Sequence, residues 1–271
     1  MASKERTTSV DLRDPEIHEQ WESLYLNADL DRLYDRVFER IVKALSPKPG
    51  QTLLDAGCGY CFHAIRLAKS GLRVMALDFS DAALTRGAQT VKRAGMEDRI
   101  ELRQGDLLKL PFSDATFDFV HSWGVLMHVP RLEDALGELI RVLKPGGKLV
   151  VMENNVRSLH VQAEKLARLA KLLLRHRVNE RKSTPRGTEE WFGNGSGRLM
   201  LRIQDIDFLV RFCEERGLRL ADRFAGQFTE LYTQVPGRML KRAVYKFNEL
   251  WFAAGARPRL AAGNVLVFDK P

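Results

Sequence analysis

Residues 53–59 read Leu53-Leu54-Asp55-Ala56-Gly57-Cys58-Gly59, and a second apolar run, Arg73–Leu77, ends at Asp78. A short hydrophobic strand that runs into a glycine turn, with a helix opening at about Phe62, is the start of a nucleoside-binding βαβ unit. The glycines permit positive φ and close approach of the backbone to a ligand. The helix N-terminus supplies unpaired N–H groups. Asp78 stands where an acid accepts hydrogen bonds from a ribose diol. The pairing predicts an adenosine-containing cofactor.

The spacing discriminates among such cofactors. A dinucleotide fingerprint needs a third glycine where this chain has Phe62, so the helix cannot pack close and approach a pyrophosphate. A P-loop is excluded, because no Gly-Lys-Ser/Thr follows the turn. S-adenosylmethionine carries no phosphate. It needs a polar turn, an acid for the ribose and a flat apolar slot for adenine.

Three further blocks follow in order. They are Ala76-Leu77-Asp78-Phe79-Ser80, then Gln104-Gly105-Asp106-Leu107 with Phe117–Val129, and Arg141-Val142-Leu143-Lys144-Pro145-Gly146-Gly147-Lys148-Leu149-Val150-Val151. With Leu54–Gly59 they make residues 50–153 resemble the class I S-adenosylmethionine-dependent methyltransferases of the small-molecule type. The family's usual third turn glycine is Cys61 here, a departure expected to alter packing near the methionine moiety. The resemblance implies a Rossmann-like, seven-stranded, mostly parallel α/β sheet with flanking helices and an inserted helical cap. It implies S-adenosyl-L-methionine as cofactor. Asp55, Gly57, Cys58 and Gly59 would border its methionine end. Asp78 would take the ribose, and Phe79 would pack beside the adenine. Asp106 and Leu107 would meet the adenine edge, and Ser122 and Trp123 would line the cofactor near its methyl. Tyr25, on an N-terminal helix that closes over the site in related enzymes, is a further contact candidate.

Periodicity organises the rest. Strands are expected near 52–56, 73–77, 100–103, 117–121 and 147–152, and helices near 61–69, 81–94 and 131–142. Such alternation implies a parallel sheet with right-handed crossovers. Its ligands sit outside the carboxyl ends of the strands. Residues 15–45 read as two helices broken at Asn27-Ala28-Asp29. After Glu153 the alternation stops. Residues 158–177 form a helical pattern with Leu159, Ala163, Leu166, Leu169, Ala170 and Leu173 on one arc and Lys165, Arg168, Lys171 and Arg175 opposite. Residues 178–202, polar and glycine-rich, are expected to be a mobile loop. Helices near 204–216 and 236–253 follow, and the apolar runs near 218–224 and 264–268 resemble the antiparallel strands with which the family usually closes. The expected organisation is a single domain: an N-terminal segment at 1–49, a cofactor core at 50–153, and an acceptor cap with closing strands at 154–271.

The chain has 271 residues and a net charge of +8. Residues 156–187 hold nine Lys/Arg against two acids, and residues 235–271 hold seven against two, so the excess lies outside the cofactor core. These segments suit an anionic partner, or are solvated faces. No apolar run reaches the ~18 residues that span a bilayer. Three cysteines make no disulfide framework, and a cytoplasmic protein is expected, with the inner membrane face open to peripheral contact. Cys58 and Cys61 lie inside the cofactor turn, and no second Cys/His pair stands at zinc-ligand spacing.

Methyl transfer from a sulfonium is an in-line displacement in which positioning supplies most of the catalysis. A weakly acidic oxygen acceptor also needs a base. His128 and Glu153 are the candidates, the latter at the carboxyl end of the fifth strand; His121, mid-strand, reads as a core residue. No metal-ligand cluster is evident. The leading acceptor is a hydroxyl of a small molecule, sugar or glycan precursor, anionic or lipid-linked. The alternatives are a membrane-associated lipid or quinone enzyme that touches the bilayer through helix 158–177, and an RNA methyltransferase. Against RNA stand the absence of an RNA-binding module and of an Asn-Pro-Pro-Tyr-type motif. A non-catalytic adenosine-binding module is the alternative raised by Cys61.

Overall fold

The computed structural model describes residues 28–173, 181–192, 199–255 and 257–271. Tyr25 and the first of the two expected N-terminal helices lie outside them. Helix α1 (Ala28–Leu45) leads into β1 (Thr52–Ala56), α2 (Phe62–Ala68), β2 (Arg73–Asp78), α3 (Asp81–Arg93), β3 (Ile100–Gln104), β4 (Phe117–Trp123), α4 (Leu132–Val142) and β5 (Leu143–Asn154). Then follow α5 (Leu159–Leu173), β6 (Arg181–Thr184), β7 (Gly187–Phe192), β8 (Leu199–Gln204), α6 (Ile206–Glu214), β9 (Arg219–Gln227), α7 (Arg238–Ala253) and β10 (Gly263–Asp269).

Seven strands form one sheet in the order β3-β2-β1-β4-β5-β10-β9. The first five run parallel, and β10 is antiparallel to both neighbours. The order reverses between β1 and β4, so their carboxyl ends open a crevice at the switch point. The two faces follow the period of two along each strand. Leu53, Val74, Phe119, Val150 and Val265 pack under α1, α2 and α3. Leu54, Val120, Leu149, Val151 and Leu266 pack against α4 and α6. Helix α1 forms because Leu30, Leu33, Tyr34, Val37, Phe38, Ile41 and Leu45 recur at helical spacing, and all are buried. Helices α3 and α6 start on side-chain caps: Ser80 accepts from the Ala83 N–H, and Asp205 from those of Asp207 and Phe208.

One expectation needs correction. The segment 178–202 is not a loop throughout, because β6, β7 and β8 form a second, antiparallel sheet. Its sequence hides the strands because buried ion pairs stand beside the buried apolar residues Met200 and Ile203. Arg181 Nε donates to Glu190 at 2.6 Å, and Arg202 Nε to Glu189 at 3.0 Å. Arg202 is fully buried and also donates to the Val129 and Pro130 carbonyls, which rivets this sheet to the turn after β4. The first half of α5 turns its apolar arc to solvent. Leu159, Ala163 and Leu166 are exposed, while Val161 is buried.

Candidate active site

The turn after β1 is built by a reciprocal arrangement with β2. The Gly57 and Cys58 N–H groups donate to the Leu77 carbonyl at 2.8 and 3.0 Å. Asp78 Oδ2 accepts the Gly59 N–H at 2.9 Å, and Oδ1 accepts the Ser80 N–H at 2.9 Å. The expected ribose acid is therefore also the clamp joining the two loops. Gly57 has φ +84°, and a Cβ there would lie 2.4 Å from Val125 Cγ2. Above Gly59 and Gly124 there is no atom within 4 Å of a Cβ position, so a ligand can approach the backbone at both. The crevice thus offers an acid, open backbone turns and no basic phosphate anchor on them, which fits a phosphate-free adenosine cofactor. Cys61 takes the place of the family glycine in a left-handed conformation, φ 64°, as the N-cap of α2. Its sulfur lies 3.8 Å from that of Cys58, and both thiols are free and buried. The hydrogen bond from the neighbouring Cys61, with burial, pushes the Cys58 thiol well above its usual range.

Beneath the turn lies a polar pair. His121 Nδ1 is 2.7 Å from Asp55 Oδ1, and both are buried opposite each other on β4 and β1. His121 is a core residue, as its mid-strand position predicts. The Ser122 hydroxyl donates to the Ala56 carbonyl at 3.1 Å, joining the same two strand ends. Trp123 is half-buried against Tyr34, Phe38 and His63, with ring centroids 5.6, 5.1 and 4.9 Å apart. His63 stacks on Phe38 at 4.7 Å, and burial holds its pKa well below the usual histidine range. Helix α1 therefore reaches the site through Tyr34 and Phe38. No motif flagged these two or His63; the signal was the continuation of the α1 apolar stripe into aromatics.

At the expected adenine side, Phe79 is half-buried and its carbonyl accepts from Gln104 Nε2 at 3.1 Å. Leu107 is buried in the core beside α4. Asp106 is exposed, and its Oδ1 accepts the Leu108 N–H at 2.9 Å, so it also caps its own turn.

The acceptor side is built from β5, the turn Leu126–His128 and β8. Glu153 is fully buried and its Oε1 accepts the Leu126 N–H at 2.9 Å. Burial outweighs that bond and the neighbouring Arg202, and raises its pKa to about 8. Its Oε2 has no hydrogen-bond partner among the described residues. His128 Nδ1 lies 3.0 Å from the Met200 carbonyl, so it is the protonated nitrogen, and burial lowers the ring's pKa to about 4. Glu230, half-buried and hydrogen-bonded to Gln227, is raised to about 7 by burial. Sequence reasoning missed Glu230 and Arg202, because the partners that matter to them lie on other elements. Among the described residues no cluster of His, Cys, Asp and Glu is arranged to hold a metal ion.

The fold is a doubly wound α/β sheet whose crevice opens at the switch point between β1 and β4. Residues 54–151 match the family model described as "Methyltransferase domain". It is 42% identical over 117 residues to 24-methylenesterol C-methyltransferase 2 of Oryza sativa subsp. japonica, a match covering 42% of this chain and 32% of the relative. It is 41% identical over 112 residues to a ubiquinone/menaquinone biosynthesis C-methyltransferase of Cereibacter sphaeroides, covering 40% of this chain and 44% of the relative. The chain thus spans less than half the length of these two relatives. Among solved structures, a protein of Pyrococcus horikoshii OT3 shares the fold with a TM-score of 0.62 at 18% identity, over 94% of this chain and 99% of that one.

Proposed function

We propose that this chain transfers the methyl group of S-adenosylmethionine to a lipid-like small molecule, of the quinone or sterol kind, rather than to a sugar hydroxyl. The observation that carries the methyltransferase reading is the Asp78 clamp on the Gly57–Gly59 turn, inside a segment that matches the methyltransferase-domain model. The choice of acceptor is supported by relatives over the same core that are named sterol and quinone C-methyltransferases. The O-methylation and the sugar or glycan acceptor suggested by the sequence have no such support. The exposed Leu159, Ala163 and Leu166 of α5 agree with an acceptor that resides in a bilayer, as does the basic excess in residues 156–187.

In this reading Asp78 holds the ribose, and Phe79, Asp106 and Leu107 border the adenine. Asp55, Gly57, Cys58 and Gly59 border the methionine end. Ser122 and Trp123 fix the strand end and ring wall beside the reacting centre. The bound cofactor supplies a methyl on a positively charged sulfur, which leaves as a neutral thioether. The acceptor gains the methyl and must lose a proton. Glu153 takes that proton in its ionised form, which it reaches as pH rises through about 8, on the Oε2 that has no partner among the described residues. His128 is a positioning residue that ties the 126–128 turn to β8.

The test is an acceptor screen with methyl-labelled S-adenosylmethionine. Label should enter the organic phase with polyprenyl quinols or sterols. Label recovered only on sugars or glycan precursors would overturn the acceptor assignment. No incorporation, together with no calorimetric binding of S-adenosylhomocysteine, would overturn the enzyme reading.

A further inference from the structure

Helix α7 is amphipathic in an unusual sense, because its apolar side faces outward. Met239, Leu240, Phe247 and Leu250 are 85%, 54%, 43% and 59% exposed. With Ala243 they recur at helical spacing and form one stripe. The roll of the helix is fixed by its other side. Tyr245, Asn248 and Glu249 are buried there. Asn248 Oδ1 accepts the N–H groups of Phe228 and Thr229 at 3.0 Å each, and its Nδ2 donates to the Thr229 carbonyl at 2.9 Å. Turning the stripe inward would break all three bonds, so its exposure is built in.

The margins of the stripe are chemically distinct. Arg238, Arg242 and Lys246 are exposed along one margin. The helix's single acid, Glu249, is turned inward to Arg32 and Lys246, at 3.4 and 3.1 Å. On the other margin Trp251 packs half-buried against Phe228 and Phe247, with centroids 4.0 and 5.9 Å away. An apolar crest with a basic margin and an aromatic flank is the pattern of a helix that lies in a membrane interface. The neighbouring turn extends the crest, since Leu231 is 42% exposed. The same 229–234 segment grips α5, through Thr229 to His160 at 3.0 Å and Gln234 to Glu164 at 2.8 Å.

We infer that α7, with Leu231 beside it, is a docking surface for an anionic lipid bilayer. Charge selects this occupant over a second copy of the chain. A two-fold contact through the stripe would bring two basic margins together on chains that each carry +8. Position gives the docking a purpose. The segment leaves β9 at Gln227, which pairs with Gly263, and Gly263 in turn pairs with Asn154 at the carboxyl end of β5. A bilayer seated on α7 would meet the edge of the sheet where acceptors enter. The inference goes beyond the proposed reaction, and docking is measured without turnover.

The experiment is vesicle flotation of the full chain, with phosphatidylcholine alone and with phosphatidylglycerol added. The test variant is Met239→Glu/Leu240→Glu/Phe247→Glu. Wild type should float with the anionic vesicles and less so in high salt. The variant should lose about tenfold or more in partitioning, with S-adenosylhomocysteine affinity and melting temperature retained. A second variant, Arg238→Glu/Lys246→Glu, keeps the stripe and should lose the preference for phosphatidylglycerol. Wild type that stays with the unbound protein, or an apolar variant that floats as wild type does, would overturn the inference. So would light scattering that shows a wild-type dimer split by the variant without any vesicle binding.

Discussion

Glu153→Gln separates two roles of one side chain. The glutamate is fully buried, and burial raises its pKa from 4.5 to about 8. A folded state that holds a proton more tightly than the unfolded chain is stabilised by that proton. The contribution is complete below about pH 4.5, the unfolded value, and is lost as pH rises through about 8. At about 1.4 kcal/mol per pKa unit, the wild type should lose on the order of 3 kcal/mol between about pH 5 and about pH 8 from this group. Glutamine keeps an oxygen for the Leu126 N–H and does not titrate. Urea denaturation at both pH values should show the variant losing less stability than wild type by that amount. Parallel pH curves for the two proteins would refute the reasoning. The same variant reports on chemistry. If Glu153 takes the acceptor proton, kcat should fall by about a hundredfold or more, with S-adenosylhomocysteine affinity unchanged. A fall of less than about tenfold in kcat would leave Glu153 as a positioning residue for the 125–127 turn.

Three further outcomes are expected. Asp78→Asn leaves one amide oxygen for two N–H groups, those of Gly59 and Ser80, each now at 2.9 Å. It should cost about 1.5–3 kcal/mol of stability and weaken S-adenosylhomocysteine binding; calorimetry and melting curves identical to wild type would remove Asp78 from the site. Gly57→Ala meets both a φ of +84° and Val125 Cγ2 at 2.4 Å, whereas Gly146→Ala, at φ +75°, meets no atom within 4 Å. The first should destabilise by about 1–3 kcal/mol more than the second in chemical denaturation, and equal costs would contradict the close packing of the turn. Arg202→Ala strands Glu189 and the Val129 and Pro130 carbonyls, and should cost about 3–5 kcal/mol. Hydrogen exchange should rise over the 126–130 turn and β8, and unchanged protection would show that this rivet is not needed.

The parallel core was legible because each of its decisions is local. Alternating residues such as Leu53 and Leu54 send side chains to the two faces, and a glycine turn after an apolar run ends a strand wherever it stands. The Gly57–Gly59 turn and Asp78 were readable for the same reason, since backbone freedom and an acid at a strand end are properties of sequence position. The closing antiparallel strands followed from the family resemblance, not from a local signal.

The partners of the polar groups were settled only by tertiary structure. Asp55 and His121 are 66 positions apart and meet at 2.7 Å because β1 and β4 are neighbours at the switch point. The sheet of β6, β7 and β8 escaped reading because Glu190 and Arg202, buried on its opposite faces, read as solvent-facing until ion pairs to Arg181 and Glu189 close around them. The reverse holds for α7, where the apolar Met239 and Leu240 stand in the open because Asn248 fixes the roll. Hydrophobic pattern is written in the order of residues. Desolvation, which raises Glu153 to about 8 and lowers His128 to about 4, depends on what packs around a group, and that is decided only when distant segments come together.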